Sequence, residues 1–296
     1  MIHNPIPWPN GARCAACVTF DMDADSLIHI GHPTDGHSRV SAISMLQYGP
    51  KVAIRRIVDS YATLGIKQTF FIPAWSIETY PEAVETILQG GHEIAHHGYL
   101  HEHPRELSDE QEAYWLDRGI EVIVKATGLR PRGWRAPLYN FSHRSADLLA
   151  ERGFTYDASL MGDDQPYLLE CAKGRLVELP SHWGLDDWPQ YVQSMDLDYM
   201  MPIRAPQQGL ATFEQEFAAS YAYGGLWVPV VHPFATGRLA RWHVWHQFLQ
   251  SLVARGDVWF APMEAIATHV LNVVAKGEWV PRIDHQPYYS EPVRVR

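Results

Sequence analysis

Short apolar runs rich in β-branched and aromatic residues recur along the chain, and stretches whose apolar positions repeat every three to four residues lie between them. The runs predict strands at 14–20 (CAACVTF), 68–72 (QTFFI), 92–96, 132–136, 154–158, 176–179 (LVEL), 226–232 (LWVPVVH) and 257–260 (DVWF). Helical spacing covers 50–64, 80–90, 108–127, 143–153, 211–223, 238–255 and 262–275. In 50–64, Val52, Ile54, Ile57, Val58 and Tyr61 fall near one face and Gly65 stops the helix. Ser108 with Gln111 three residues on is a capping-box start for 108–127, and Gly128 stands at its end.

Such alternation implies an α/β fold with a parallel sheet under covering helices. About seven to eight units in one chain favour a closed or nearly closed (β/α) barrel, whose active site would lie at the C-terminal strand ends. Two segments break the rhythm. Residues 24–48 are polar and carry His29, His32 and His37, and residues 180–209 are rich in Trp, Asp, Met and Pro. Both read as long functional loops. The tail 277–296, with Trp279, Tyr288 and Tyr289 among prolines, reads as a docking arm, and residues 1–12 as an N-terminal extension. No linker or repeat interrupts the chain, so 1–296 is one domain.

Composition narrows the function classes. The 296 residues are 46% hydrophobic and 20% charged, as in soluble globular proteins, and the net charge of −10 disfavours nucleic acid or an anionic membrane as partner. No apolar run approaches the ~18 residues of a membrane span. The start, MIHNPIPWPNGAR, lacks a secretory pattern, so a cytoplasmic protein is expected. Cys14 and Cys17 form a C-x-x-C pair without a second pair, which excludes a four-cysteine zinc site. On a strand, residues three apart face opposite ways, and both read as core residues.

The candidate chemistry gathers at predicted strand ends. In 19-TFDMD-23, Asp21 and Asp23 are two apart, so both carboxylates face one way on an extended backbone. Side by side they repel, unless a cation and a second partner separate their roles. The stretch 92-HEIAHHGYLHEHP-104 holds five histidines, and His97 and His101 have an i, i+4 spacing that converges on one metal if the segment makes a helical turn. Asp23, His97 and His101 would leave an open position for water, as catalytic zinc sites do. Zinc would then lower that water's pKa to about 7. His92 and His96 read as core or supporting residues. Arg135, in RGWRAPLYN, is placed to pair with a carboxylate, and His232, ending LWVPVVH, is a candidate proton donor.

TFDMD, HGYLH, RAPLY and VVHP, in that order from about residue 14 to 265, resemble the polysaccharide deacetylase family of carbohydrate esterases. The resemblance implies a deformed (β/α) barrel, a divalent metal, usually zinc, and hydrolysis of N-acetyl groups on sugars or of other amide-like C–N bonds. By residue it implies Asp21 as general base, Asp23, His97 and His101 as metal ligands, Arg135 as the residue orienting Asp21, and His232 as general acid. The typical motif has adjacent aspartates followed by glycine, whereas here Met22 separates them and Ala24 follows. That version is similar to a branch with peptidoglycan-deacetylase-like proteins, cyclic imide hydrolases and allantoinase-like enzymes.

The segment 180-PSHWGLDDWPQY-191 is similar to that branch as well. Asp186 and Asp187 are expected to border the substrate pocket, with Trp183 and Trp188 as apolar walls and Tyr139, from RAPLY, as a further contact. A small cyclic imide or amide is the favoured substrate, an N-acetylated glycan such as peptidoglycan the alternative. A metal-binding interaction module is the non-enzyme reading, which the acid/base set of Asp21, Arg135 and His232 disfavours. The apolar tail and the 24–48 segment suggest a homo-oligomer, and the resemblance implies a tetramer.

Overall fold

The computed structural model describes residues 1–294. Twelve strands are present among them: β1 (Cys14–Ala16), β2 (Thr19–Asp21), β3 (Thr69–Ile72), β4 (Glu93–His96), β5 (Gly133–Trp134), β6 (Tyr156–Asp157), β7 (Tyr167–Cys171), β8 (Gly174–Glu178), β9 (Leu226–Trp227), β10 (Val230–Val231), β11 (Val258–Phe260) and β12 (Ile283–His285). They form two sheets, one ordered β10-β2-β3-β4-β5-β6-β8-β7-β12 and one ordered β11-β1-β9. Every pairing is parallel except β7 with β8, and helices fill most of the connections. The α/β class is as expected.

The two sheets share a chain path. β1 runs into β2 and β9 into β10, so the three-stranded sheet continues the nine-stranded one below the Asp21 end. On the far side, the stretch after β8 approaches β10 through a parallel bridge between Asp186 and Val230 and a hydrogen bond from the Ser181 hydroxyl to the Val228 carbonyl, 2.8 Å. Alternate residues of many strands share one buried cluster, including Ala15, Cys17, Phe71, Ala95, Tyr156 and Val177. Cys14 packs instead with Val18, Phe20 and the covering helices. The two cysteines thus face opposite ways, buried and free.

Several sequence features act as expected. Helix Asp109–Thr127 starts with a reciprocal capping box, Ser108 Oγ accepting from Gln111 N and Gln111 Oε1 accepting from Ser108 N, and ends at left-handed Gly128. Other expectations need correction. The 50–64 helix opens with a π turn over Gly49–Ala53, and helix Ile54–Leu64 follows. The wider turn rotates Val52 out of the apolar stripe, so it is exposed while Ile54, Ile57, Val58 and Tyr61 are buried. Residues 24–48 are largely helical, with Ser26–Gly31 and Val40–Tyr48 packing Leu27, Ile28, Ala42 and Leu46 against Tyr191, Val192, Phe234 and Ala235.

The C-terminal tail docks on its own chain. β12 pairs with β7, Trp279 is buried with its Nε1–H donating to the Asn4 carbonyl at 3.0 Å, and Asn4 Nδ2 donates to the Val280 carbonyl at 2.8 Å. Tyr288 and Tyr289 are exposed, and the last two residues of the expected arm lie outside the described residues. No helix among the described residues is long and apolar enough to cross a membrane.

Candidate active site

Four strand ends converge. Asp21 closes β2 and Asp23 lies two residues beyond it; His97 follows β4, Arg135 follows β5, and His232 follows β10. The Asp-x-Asp spacing works as pleat geometry requires: Met22 points into the core while both carboxylates reach the same imidazole. His97 Nε2 stands 3.4 Å from Asp23 Oδ1 and 3.7 Å from Asp21 Oδ2. His101 Nε2 is 3.8 Å and His232 Nε2 3.5 Å from Asp23 Oδ2. All are buried.

His97 and His101 do not meet through a helical turn. Residues 97–103 are irregular, and the reversal is made by left-handed backbone at Gly98 (φ +75°) and His101 (φ +71°). The Glu102 carboxylate holds the turn, accepting the amides of Tyr99 and Leu100 at 2.8 and 2.7 Å. A positive φ on a non-glycine residue is uncommon, and here it aims His101 back at His97, with ring centroids 5.0 Å apart.

Arg135 is fully buried over the face of Phe71, 4.0 Å from its centroid. Its Nη1 donates to Asp21 Oδ1 and to Thr19 Oγ1 (3.0 Å), and its Nε to the Ala158 carbonyl (3.0 Å). Burial opposes its charge, but Asp21 outweighs it and raises the guanidinium above its usual range. Burial also opposes charging His97, and Asp21 and Asp23 overcome it, raising that imidazole. For His101 burial wins, pulling it down to about 3. Burial would raise the Asp23 carboxyl, yet His101, His97 and His232 together hold it below the carboxylate range.

His232 is oriented by a residue expected elsewhere. Its Nδ1–H donates to Asp187 Oδ1 at 2.6 Å, and Asp187 Oδ2 accepts the amides of His232 (3.0 Å) and Thr236 (3.1 Å) and the Thr236 hydroxyl. Burial lowers His232, but Asp187 outweighs it, with Asp23 and Asp186 adding, and the imidazole is pushed up to about 10. Asp187 therefore does not border the pocket. It is fully buried behind His232, because neighbouring residues project in different directions and Asp186 takes the cavity side. Asp186, Asp187 and His232 also lie close enough to suggest a second metal cluster, but the hydrogen bonds already engage both Asp187 oxygens.

Asp23, His97 and His101 fit a metal better. Their donor atoms lie within 4.8 Å of one another. Asp23 Oδ1 is buried without a hydrogen-bond partner. His97 Nδ1 bonds to the Arg135 carbonyl at 2.8 Å, which makes Nδ1 the protonated nitrogen and leaves the Nε2 lone pair facing Asp23. A lone pair beside an unpartnered carboxylate oxygen is the electron-rich arrangement that a cation between them resolves. Two imidazoles and a carboxylate suit zinc or a similar divalent ion.

A cavity of about 650 Å³ opens above these groups. Trp183, Asp186, Trp188, Tyr139 and Leu138 form one side, and Leu27, Ile30 and His32 the other. Tyr139 donates its hydroxyl to Asp186 Oδ2 at 2.7 Å, and Trp188 packs edge-on against His232, 5.3 Å between centroids. Burial raises the Asp186 carboxyl to about 6. The 24–48 and 180–209 segments both contribute to this wall; His32 lines it, while His29 stands behind, against Trp75. His92 and His96 sit in the core, as expected: His92 Nδ1 accepts from Gln68 N at 3.1 Å and His96 Nε2 meets the Leu116 carbonyl at 3.1 Å.

Comparison with known proteins points one way. Residues 38–156 match the family model for polysaccharide deacetylase. The chain is 32% identical over 196 residues to a peptidoglycan deacetylase of Helicobacter pylori, covering 58% of this chain and 67% of the relative. It is 41% identical over 212 residues to a peptidoglycan deacetylase-like protein of Gibberella zeae, covering 62% of each. The alignments thus span about two thirds of these relatives' length. Among solved structures, a candidate polysaccharide deacetylase of Mycobacterium smegmatis superimposes with a TM-score of 0.90 at 37% identity, covering 97% of this chain and 99% of that one. The allantoinase PuuE shares the fold, with a TM-score of 0.79 at 21% identity, covering 94% and 96%.

Proposed function

The chain belongs to the polysaccharide deacetylase family, and from that premise we propose that this C–N hydrolase removes the acetyl group from an N-acetylated amino sugar of a glycan such as peptidoglycan. The observation that carries the reaction is the convergence of Asp21, Asp23, His97, His101 and His232 on one buried point under the cavity. For the substrate, support comes from the names of the two curated relatives. That favours the glycan over the small ring that the sequence alone suggested.

Zinc, or another divalent cation, held by Asp23, His97 and His101 would polarise the amide carbonyl and acidify a water beside it. Asp21 accepts a proton from the attacking water, its carboxylate aimed by Arg135. His232 gives a proton from Nε2 to the departing nitrogen, while Asp187 fixes the ring by its Nδ1–H. Tyr139 and Asp186 hold the wall where the sugar ring would rest, with Trp183 and Trp188 as apolar surfaces. We read the strands as a deformed barrel, supported by the shared inner cluster and by the bridge from Asp186, in the stretch after β8, to Val230 of β10.

The cavity volume keeps a second reading alive. About 650 Å³ lies within the usual range for pockets that bury small molecules, and a cyclic imide or amide would fit it. The deciding assay sets N-acetylglucosamine oligomers and peptidoglycan fragments against five- and six-membered cyclic imides, with metal-loaded protein and Asp21→Asn as control. Acetate release from the sugars supports the deacetylase reading. Ring opening with no acetate released would reverse it.

A further inference from the structure

Two carboxyl groups that the reaction does not use lie behind Arg135. Asp157 ends β6 and Glu178 ends β8, and the two are partners in the parallel register. Both are fully buried, and their carboxyls hydrogen-bond to each other. The Asp157 oxygens already act as acceptors: Oδ2 takes the Ser159 amide at 3.0 Å and Oδ1 the Ser159 hydroxyl at 2.7 Å. Glu178 Oε1 takes the Leu160 amide at 3.0 Å, and Oε2 has no donor among the described residues. The Tyr167 hydroxyl on β7 does not reach it and is itself unpartnered. Two buried carboxylates side by side repel unless a proton lies between them. Burial raises both groups, and Asp157 raises Glu178 further, so the proton belongs to Glu178.

The pair is tied to Arg135 by two routes. Ser159 Oγ, oriented by Asp157, accepts the Ala136 amide at 2.8 Å, and the Ala158 carbonyl accepts Arg135 Nε at 3.0 Å. Residues 157–159 therefore hold both the backbone after Arg135 and the guanidinium itself. Arg135 is also the cation that acts on Glu178, and its Nη2 is buried without a partner. An ionised Glu178 would compete with Asp21 for that guanidinium, and a protonated one does not. We propose that Asp157, Ser159 and Glu178 are positioning residues: Glu178 donates a hydrogen bond to Asp157, Asp157 fixes Ser159, and residues 158–159 keep Arg135 aimed at Asp21. None of the three lines the cavity, so they act through Arg135 alone. The proposal rests on the role given to Asp21 in the deacetylase reading and deepens it.

The test takes two readouts on metal-loaded protein. One is acetate release from N-acetylglucosamine oligomers. The other is the Arg135 Nε–H resonance, followed by NMR with isotope-labelled arginine and assigned by its loss in Arg135→Lys. Asp157→Asn offers one acceptor atom to two Ser159 donors, and Ser159→Ala leaves the Ala136 amide unbonded. Each should lower kcat roughly 10- to 100-fold with KM and metal content near wild type, the scale of a misplacement of about 1 Å. Each should also shift the Nε–H signal and speed its exchange with solvent. Glu178→Leu should behave the same way, whereas Glu178→Gln, whose amide can donate to Asp157, should recover most of both readouts. If Asp157→Asn does not fold, Ser159→Ala, which removes a single hydroxyl, carries the test. An unchanged kcat and Nε–H signal in the Ser159 and Asp157 variants overturns the proposal, as do equal effects of Glu178→Leu and Glu178→Gln. If wild-type protein releases no acetate, the deacetylase reading fails, and the Nε–H responses still decide whether these residues position Arg135.

Discussion

The imidazole of His97 donates from Nδ1 to the main-chain carbonyl of Arg135, 2.8 Å away, while the side chain of the same arginine holds Asp21. One residue thus sets the tautomer of a metal-facing histidine and the direction of the carboxylate beside it. Disturbing the β5 end should therefore affect metal binding and proton transfer together.

Metal content is the first expectation. Purified protein should hold about one divalent ion per chain, and His97→Ala or Asp23→Ala should lose most of it, since three protein ligands are the working minimum for such sites. Metal analysis by mass spectrometry checks this, and unchanged content in both variants would rule the ligand set out.

The two aspartates should separate. Asp21→Asn should retain metal and lose roughly 10²–10⁴-fold in rate, the usual scale for a general base. Asp187→Asn should also retain metal and lower the rate, because His232 then lacks its anionic partner. Equal metal loss in Asp21→Asn and Asp23→Asn would merge their roles.

The buried Arg135–Asp21 pair should show itself in stability. Arg135→Met leaves a buried carboxylate without its cation and should cost about 3–5 kcal/mol. Adding Asp21→Asn should recover part of that loss, giving a clearly non-additive double-mutant cycle in urea unfolding. Additive losses would mean that the two residues do not support each other.

Acid should weaken the fold through His92. Burial, with Lys67 nearby, lowers its imidazole from 6.5 to about 4. Between those values the unfolded chain binds a proton that the folded chain refuses, so the His92 contribution is complete above pH 6.5 and is lost as pH falls towards 4. The loss is at most roughly 3 kcal/mol. Urea midpoints at pH 7 and 4.5 should differ less in His92→Gln, which can still accept from Gln68 N.

What was legible in the sequence followed physical locality. Strand–helix alternation, the Ser108 capping box and the Asp21/Asp23 pleat are decided within a few residues, and the chain realises them. β12 was not legible, because Ile283–His285 has no apolar face of its own and is a strand only through its pairing with β7. β7 itself hid in a hairpin that the parallel rhythm did not announce. The His97/His101 spacing suggested a helical turn, whereas a left-handed turn brings the two rings together. Asp187 was placed on the pocket because it adjoins Asp186, and sequence adjacency carries no information about which of two neighbours turns inward.

The clasp between the two ends of the chain has a consequence for folding during synthesis. Asn4 and Val280 are 276 residues apart in sequence, so everything between them is translated before they can meet. Until Ile283–His285 arrives, β7 has a partner only on its β8 side, and its other edge offers unpaired backbone groups. The nascent chain therefore carries an open sheet edge until the 283–285 strand emerges, with the cavity walls built while that margin is still unguarded. Association of incomplete chains should concentrate there, and segments that compete with the 283–285 strand should be the most effective at trapping them.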